Sequence, residues 1–356
     1  MVGTSGKLRM AVLFGGRSAE HEVSVMSATN VIRALQPASY DAVPIFVTKD
    51  GRWLLSSFEA GVLAQPASGT EICLLPGGQG RMLAIPTDGP ACELPKIDAL
   101  FPVLHGLHGE DGSVQGLAEV ARVPLVGCGI LGSATALDKS FTKRLLNEAG
   151  LPTARSLTIL PRNAPSFSEL QNALGLPVFI KPARQGSSVG ISKVANEQDY
   201  ELALAEGFRH DGKLLAEEFV KAREIEFSVL EDADGGITVS RPGEIVPAES
   251  HGFYSYEAKY IDADGALLKV PADLPEDVEH RLRQMAAQAF QALGCDGMAR
   301  VDFFLTDDMR ILVNEINTIP GFTDISMYAK AMAASGIDYA TVIDRLVAHG
   351  LARASR

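Results

Sequence analysis

The sequence predicts an α/β protein in which a parallel sheet near the N-terminus is followed by mixed, antiparallel α+β units. Short apolar segments at 8–14, 43–47 and 97–104 alternate with segments of helical periodicity, a pattern typical of a parallel sheet covered by helices. After residue 178 the pattern changes to short strands separated by glycine and serine turns. We therefore expect three domains, at 1–130, 131–220 and 221–356.

The N-terminal domain begins with an apolar strand at 8–14 that ends at Gly15-Gly16. A helix is predicted over 21–35, because Val25, Ala28, Val31, Ile32 and Leu35 recur at helical spacing. This order of strand, glycine turn and helix is the first unit of the parallel sheet.

Two more helices are predicted at 114–120 and 134–149, and the second of these ends at Gly150. The stretch 66–95 is rich in proline and glycine and interrupts the alternation. We expect it to form loops or a short hairpin inserted into the N-terminal domain.

In the central domain, strands are predicted at 178–181 and 214–220. The C-terminal domain is predicted to contain a helix at 276–293, followed by strands at 298–305 and 310–316 joined by a polar turn. Two helices follow these strands. Their apolar faces carry Met327, Ala331, Ile337, Val342 and Leu346.

The composition is that of an ordinary globular protein, with 46% hydrophobic and 21% charged residues. At roughly 150 residues per domain, 356 residues correspond to two or three domains. Lysine and arginine number 32 against 44 acidic residues, which gives a net charge of −12. This sign disfavours an extended nucleic-acid surface, so DNA and RNA are not expected partners.

No stretch approaches the roughly 18 uninterrupted apolar residues of a membrane-spanning helix, and no signal peptide is recognisable. We therefore expect no membrane partner and a cytoplasmic protein. The four cysteines, Cys73, Cys92, Cys128 and Cys295, are widely spaced without a CxxC pair. They are expected to be reduced core residues rather than a disulfide framework or a zinc site.

A cluster of polar residues on the last two predicted strands suggests a metal site. Asp302 is predicted to lie opposite positions 313–315, and Glu315 shares one strand face with Asn317. Two carboxylates and an amide oxygen are donors that suit Mg²⁺ held together with a nucleotide. The alternative is a solvated polar face, but Ile311, Val313 and Phe304 are expected on the same side.

The segment 181–190 is a second candidate, because a turn rich in glycine and serine exposes N–H groups and hydroxyls that can bind phosphate. Lys181 adds a positive charge to it. The segment lacks the GK[ST] ending of a P-loop, and a plain hairpin turn is the alternative. Lys139 is a second basic candidate, and its alternative is an ordinary solvated lysine.

Two glycine-containing loops follow strands of the predicted parallel sheet. The loop after 8–14 lacks the GxGxxG spacing of dinucleotide-binding proteins, which disfavours an NAD enzyme. Its Glu20 is stabilised by the start of a helix, or binds the ammonium group of a small substrate. The loop 105–112 carries His, Glu and Asp and could bind zinc, but a loop that lines a substrate is favoured.

The segment 249–260 combines three tyrosines, a lysine and a glycine without a clean period. It is interpreted as a mobile functional loop within 247–264, with an ordinary surface loop as the alternative.

Seven motifs together resemble the D-alanine:D-alanine ligases of the ATP-grasp superfamily. In chain order they are GGRSAEHEVS, LHGLHGEDG, LDK, KPARQGSSVGISKV, YEAKY, ARVDFF and NEINTIPGFTDISMY. The resemblance spans roughly residues 8–348. It implies an ATP-grasp architecture, in which the central and C-terminal antiparallel sheets clasp ATP.

The resemblance also implies an activity. Members of this family phosphorylate the carboxylate of one D-alanine with ATP, and the amine of a second D-alanine attacks the acylphosphate. The products are D-alanyl-D-alanine, ADP and phosphate. The alternatives are another ATP-grasp carboxylate–amine ligase, a D-alanine:D-lactate ligase, or a non-catalytic nucleotide-binding module.

The resemblance assigns ligands for ATP and for two Mg²⁺ or Mn²⁺ ions, the ions being held by Asp302, Glu315 and Asn317. It assigns phosphate contacts to Lys139 and Lys181. It also implies that the segment 217–220 is a hinge that binds adenine through its backbone. Either Glu224 or Glu226 takes the ribose, and Glu224 is preferred. The full nucleotide set is Lys139, Lys181, Ser187, Ser188, Glu217, Glu218, Phe219, Val220, Glu224 and Lys259.

For the substrates, the resemblance implies that Glu20, with His105 nearby, orients the ammonium of the first D-alanine. Arg300 and the Gly321 N–H hold the oxyanion of the tetrahedral intermediate. The carboxylate of the second D-alanine binds at Ser326 and the Met327 backbone.

Ser187 and Tyr260 are expected to form a network with Glu20 that closes the loop over the site. Tyr260 also favours the dipeptide over the ester product. A homodimer is usual in the family, and activation by a monovalent cation is left open.

Overall fold

The structure is a computed structural model that describes residues 6–247, 266–323 and 325–355. Within these ranges the chain forms a seven-stranded, a four-stranded and a six-stranded sheet, together with a two-stranded hairpin. No helix among the described residues is long and apolar enough to cross a membrane.

The N-terminal sheet has the strand order β8-β7-β6-β3-β2-β1-β9. Strand β1 pairs in parallel with both β2 and β9, which confirms the predicted parallel sheet. The bounds are β1 Leu8–Gly15, β2 Tyr40–Val47, β3 Trp53–Leu55, β4 Phe58–Glu59, β5 Val62–Leu63, β6 Glu71–Leu74, β7 Met82–Ile85, β8 Cys92–Leu94 and β9 Ala99–Pro102.

The proline- and glycine-rich stretch is more regular than predicted. Instead of loops or one short hairpin, it contributes the antiparallel strands β6, β7 and β8, which widen the sheet. Alternate side chains of β6 and β7 are buried, as for Ile72, Leu74, Met82 and Ala84, so a period of two residues persists between the turn residues.

The central strand β1 is buried on both faces. Met10, Val12 and Phe14 pack into one core with helix α1 (His21–Ala34), whereas Ala11 and Leu13 pack into another with helix α2 (Ser113–Ala121). Parallel strands covered by helices on both sides are characteristically apolar throughout. This arrangement leaves the loops at the carboxyl ends of the strands, among them the loop with Glu20, to line a site.

The helix predicted over 134–149 is two helices, α3 (Ile130–Leu137) and α4 (Lys139–Glu148). The break lies at Asp138, which has an extended backbone and accepts hydrogen bonds from the N–H groups of Ser140 and Phe141. An aspartate in this capping position begins a new helix. Lys139 therefore occupies the first turn of α4.

The central unit is a four-stranded antiparallel sheet of order β10-β13-β11-β12. Its strands are β10 Ser156–Ile159, β11 Val178–Pro182, β12 Ser192–Val194 and β13 Leu214–Glu218, and its helices are α5 Phe167–Leu174 and α6 Glu197–His210. Strand β13 ends two residues earlier than predicted, so Phe219 and Val220 lie outside the ladder.

The C-terminal sheet has the order β17-β16-β14-β18-β19, with β15 paired to β14. Its strands are β14 Ala222–Glu231, β15 Ile237–Val239, β16 Gly243–Pro247, β17 Ala266–Lys269, β18 Met298–Thr306 and β19 Ile311–Asn317. The helices are α7 Glu276–Ala292, α8 Met327–Ala334 and α9 Tyr339–Arg353.

Helix α9 packs back on the N-terminal sheet. Val342, Ile343, Leu346 and Val347 share one core with residues of β1 and β9, and the Tyr40 hydroxyl donates to Asp344 at 2.7 Å. The first and last parts of the described chain therefore form one packed body.

The cysteine prediction is half wrong. Cys128 and Cys295 are buried, but Cys73 and Cys92 are exposed, and none of the four forms a disulfide. Cys73 lies on the outward-facing side of β6, and Cys92 lies on the edge strand β8.

Candidate active site

A pocket lies where the three units meet. Eight residues singled out from the sequence line it: Glu20, His105, Lys139, Ser187, Arg300, Glu315, Asn317 and Gly321. They come from the loops after β1 and β9 at the carboxyl edge of the parallel sheet, from the first turn of α4, from the loop after β11, from strands β18 and β19, and from the segment after β19. Residues distant in sequence are thus brought together as expected of a ligand site at such an edge.

Strands β18 and β19 supply the acidic part of the site. Asp302 lies directly opposite Glu315, as predicted, and Arg300 lies opposite Asn317. The pairing skips Asn314 between Asp302 and Phe303, which is a β-bulge. The prediction that Ile311 and Val313 share the face of Glu315 is wrong, because the bulge turns their side chains, with that of Ile316, into the core.

Arg300 joins the carboxylates of this cluster. Its Nε and Nη2 donate to the two oxygens of Asp302 at 2.7 and 2.6 Å, and its Nε lies 3.1 Å from Glu226 Oε2. Burial alone would lower the pKa of Arg300, but the facing carboxylates hold it well above its ordinary value. A fixed guanidinium of this kind can stabilise negative charge that develops in the pocket.

The donors present fit a divalent cation. Asp302 and Glu315 are hard oxygen donors on adjacent strands, and Asn317 donates to Asp302 Oδ2 at 3.1 Å. In the described part of the chain, no group of three or more His, Cys, Asp and Glu side chains is arranged to hold a metal. A cation here would thus rely on the Asn317 amide and on ligand oxygens besides the two carboxylates.

Glu20 is held by a contact between two units of the protein. The Ser187 hydroxyl donates to Glu20 Oε1. A Cβ atom on Gly186 would lie 2.8 Å from Glu20 Oε2, so the backbone of this loop passes close to the Glu20 carboxylate. The loop after β11 therefore closes against the loop after β1.

Glu110 is a site residue whose role the sequence reasoning missed. Its carboxylate accepts hydrogen bonds from the N–H groups of Gly106 at 2.8 Å and Ile319 at 3.0 Å. Burial, reinforced by the charge of Glu20, raises the pKa of Glu110 to about 8. The signal available in the sequence was its place in a glycine-rich loop, which did not reveal the distant partner Ile319.

His105 supports the same segment. Its Nδ1 lies 3.0 Å from the Ile319 carbonyl oxygen, and burial lowers the pKa of its imidazole. His108 faces Arg17 instead, and Asp111 accepts from the His108 and Ser113 N–H groups. The side chains considered for zinc therefore have separate partners.

The residues assigned to the nucleotide lie around β11, β13 and α4. Lys139 Nζ donates to the Gln185 carbonyl at 2.7 Å, and Lys181 Nζ lies 2.5 Å from Glu217 Oε1. Glu218 accepts from Arg155, and Phe219 lies beside Phe179. Ser188, next to Ser187, has a left-handed backbone with φ of 61°.

The two candidates for the ribose have different surroundings. Glu226 is buried and bound to Arg300, whereas Glu224, two residues earlier in β14, is half-buried and lies opposite Phe304 of β18. Lys259, Tyr260 and nearly all of the predicted loop 247–264 lie outside the described residues.

Gly321 and Ser326 are neighbours at the start of α8. A Cβ atom on Gly321 would lie 2.8 Å from Ser326 Oγ, and Ser326 Oγ accepts from the Thr323 N–H at 2.9 Å. Met327 begins α8, and its side chain is buried against Gly243. Only its backbone is thus available for the predicted substrate contact.

The three-part architecture and the clustered lysines and carboxylates define an ATP-grasp ligase. Residues 9–128 match the family described as D-ala D-ala ligase N-terminus, and residues 145–348 match D-ala D-ala ligase C-terminus. The chain belongs to the D-alanine–D-alanine ligase family.

Similar proteins agree with this membership. The D-alanine–D-alanine ligase A of Brucella suis biovar 1 is 67% identical over 351 residues, covering 99% of each chain. The ligase A of Mesorhizobium japonicum is 60% identical, covering 98% of each.

Solved structures are similar over the same length. The D-alanine-D-alanine ligase of Coxiella burnetii has a TM-score of 0.85 and 36% identity, covering 98% of this chain and 95% of that one. The D-Ala:D-Ser ligase VanG of Enterococcus faecalis has a TM-score of 0.83 and 33% identity, covering 97% and 99%.

Proposed function

We propose that this protein joins two D-alanines into D-alanyl-D-alanine in an ATP-dependent reaction, for the synthesis of peptidoglycan precursors. The observation that carries the proposal is the single pocket that combines Glu20 and Ser187 with Arg300, Glu315 and Asn317. Such a pocket offers an anion for a substrate ammonium and a cation for a developing oxyanion.

The chemistry requires activation of the first substrate. A free carboxylate is a poor electrophile, so the γ-phosphoryl group of ATP is transferred to its oxygen and makes that oxygen a leaving group. The amine of the second D-alanine attacks the carbonyl carbon, and phosphate departs when the tetrahedral intermediate collapses. The overall products are the dipeptide, ADP and phosphate.

The residues of the chain have distinct parts in this reaction. Glu20, oriented by Ser187, binds the ammonium of the first D-alanine, and His105 and Glu110 fix the segment that precedes Gly321. Arg300 and the Gly321 N–H stabilise the oxyanion, since both are positioned before charge develops. Ser326 and the Met327 N–H at the start of α8 bind the carboxylate of the second D-alanine.

On the nucleotide side, Lys139 and Lys181 contact phosphates, and the hinge from Glu217 to Val220 binds adenine. Ser187, Ser188 and Lys259 complete the nucleotide site. Glu224 is kept as the candidate for the ribose, and Glu226, which is buried and bound to Arg300, is the alternative. Two Mg²⁺ or Mn²⁺ ions bound by Asp302, Glu315 and Asn317 would neutralise phosphate charge. A closed loop carrying Tyr260 would exclude water from the acylphosphate.

The test is phosphate release by the purified protein with ATP, Mg²⁺ and D-alanine, with the dipeptide identified by mass spectrometry. We expect release with D-alanine and little with L-alanine. Absence of release with D-alanine, or equal release with L-alanine, would overturn the proposal.

Acceptor selectivity distinguishes the dipeptide ligase from its relatives, because D-serine or D-lactate can replace the second D-alanine. We expect D-alanine to be the preferred acceptor and Tyr260→Phe to admit D-lactate. Unchanged selectivity in Tyr260→Phe would argue against the role given to this tyrosine.

We also propose a cytoplasmic homodimer, in line with the family resemblance. Sedimentation equilibrium tests the oligomeric state, since a single species of monomer mass at assay concentrations would contradict it.

A further inference from the structure

A buried carboxylate with two lysine partners lies at the end of β13. Glu217 is 4% exposed; its Oε1 lies 2.5 Å from Lys181 Nζ, and its Oε2 lies 2.6 Å from Lys143 Nζ. Burial alone would raise the pKa of Glu217, but the two ammonium groups hold it below its ordinary value.

The two lysines are not equivalent. Lys143 lies in α4 with its side chain 6% exposed, and its Nζ also donates to the Ala154 carbonyl at 2.9 Å. Lys181 lies at the end of β11, just before the glycine- and serine-rich segment, and its side chain is 13% exposed. Lys143 is therefore anchored at a second point, whereas Lys181 lies beside the proposed phosphate site.

Binding of a nucleotide at the proposed phosphate site would change the partners of Lys181. If Lys181 turns its ammonium to a phosphate, it weakens its contact with Glu217. A buried carboxylate that loses all its partners is strongly destabilised. The cluster tolerates the exchange only if a second cation stays with Glu217.

We propose that Lys143 is a positioning residue of the nucleotide site: it is the permanent counter-ion of Glu217, and it allows Lys181 to transfer to a phosphate of ATP. Lys143 also keeps the end of β13, and hence the hinge after it, in place during this exchange. The inference rests on the proposed function, because it requires the contact between Lys181 and phosphate.

The experiment measures binding of a non-hydrolysable ATP analogue with Mg²⁺ by calorimetry, together with kcat and the KM values for ATP and D-alanine. For Lys143→Met we expect the Kd of the analogue and the KM for ATP to rise about tenfold or more. We expect kcat at saturating ATP and the KM for D-alanine to stay within about threefold, because Lys143 is not assigned to either D-alanine site. Lys143→Arg, which keeps the charge, should recover most of the affinity.

A double variant separates a counter-ion role from a merely structural one. In Lys143→Met with Glu217→Gln, the neutral amide no longer needs a cation, so affinity for the analogue should exceed that of Lys143→Met by about threefold or more. If Lys143→Met does not fold, Lys143→Gln replaces it, because the amide can still donate to the Ala154 carbonyl.

Arg345→Met is the matched control. It removes a partly buried cation that binds Asp232 at 2.6 Å in the C-terminal unit, so its unfolding midpoint should fall while ATP affinity stays unchanged. Unchanged affinity in a folded Lys143→Met or Lys143→Gln, or no recovery in the double variant, would overturn the inference. Failure of the wild-type protein to bind the analogue would instead overturn the proposed function.

Discussion

Two clusters of charged side chains in the candidate active site carry excess charge of opposite sign. Around Glu217, one carboxylate is shared by Lys143 and Lys181, so the cluster carries an excess of positive charge. Around Arg300, one guanidinium is shared by Asp302 and Glu226, with Glu315 opposite, so the excess is negative. Each excess matches what the site is proposed to receive, phosphate at the first cluster and divalent cations at the second.

The contrast also concerns how each cluster is held. The acidic cluster lies on paired strands of one sheet, so its register is fixed by backbone hydrogen bonds. In the basic cluster, Lys181 and Glu217 also lie on paired strands, β11 and β13, and only Lys143 reaches them from a helix, through its side chain. Because the acidic cluster is proposed to bind cations and the basic cluster phosphate, we expect substitutions in the first to act on chemistry and those in the second to act on nucleotide affinity.

The largest effect is expected for Glu315→Gln. Loss of one anionic donor weakens the proposed cation site, so kcat should fall by about 10³-fold in the phosphate-release assay. Asp307→Asn is the control, because Asp307 is exposed on the turn of the same strand pair. Near-normal turnover of Glu315→Gln would contradict the assignment of the metal site.

Lys181→Met tests the positive cluster. Removal of a charge that faces phosphate should raise the KM for ATP by about 100-fold, with a smaller effect on the KM for D-alanine. Lys96→Met, which alters an exposed lysine of the N-terminal unit, should leave both values unchanged. An unchanged KM for ATP in Lys181→Met would contradict the proposal that the basic cluster binds phosphate.

Ser187→Ala breaks the contact between the two loops that enclose the pocket. Without the hydroxyl, Glu20 loses a hydrogen bond to its carboxylate, so kcat/KM for D-alanine should fall about tenfold. Ser39→Ala is the exposed control. If Ser187→Ala has wild-type kcat/KM, the contact does not orient Glu20 for the substrate.

The last prediction, for Glu110→Gln, concerns the pH dependence of stability rather than turnover or affinity. The folded pKa of Glu110 is about 8, above its ordinary value of 4.5. The unfolded chain releases this proton first, so the carboxyl destabilises the fold progressively as pH rises from about 4.5 to about 8.

The amide introduced by Glu110→Gln does not titrate, so the variant should lose less of its free energy of unfolding over this pH range. Urea unfolding of both proteins at pH 5 and pH 8 measures the difference. An equally steep loss in the variant would show that Glu110 does not titrate in this range.

Much of the site follows from local patterns in the sequence. The pairing of Asp302 with Glu315 is predictable from two apolar strands and a short turn, because hairpin register depends on nearby residues. The glycine turns that carry Glu20 and Ser187 are recognisable for the same reason. The break at Asp138 was also predictable, since aspartate is a strong N-cap, but the apolar periodicity on both sides concealed it.

Other features depend on contacts between distant segments. Lys143 shares the pattern of a solvated helical lysine, and only the approach of β13 makes it a buried partner of Glu217. Glu110 gains its role from Ile319, which lies far along the chain. The bulge at Asn314 changes which side chains share a face, and no turn residue in the sequence signals it.

The packing of α9 on the N-terminal sheet has a consequence for how the protein is made. The strand β1 leaves the ribosome among the first segments, yet residues 342–347 complete the core around its Val12 and Phe14. A nascent chain that ends before α9 would leave the part of this core that α9 covers exposed to water, and premature termination near residue 338 should yield aggregates rather than a stable N-terminal fragment. The core around the first strand is thus complete only when the last helix has been synthesised.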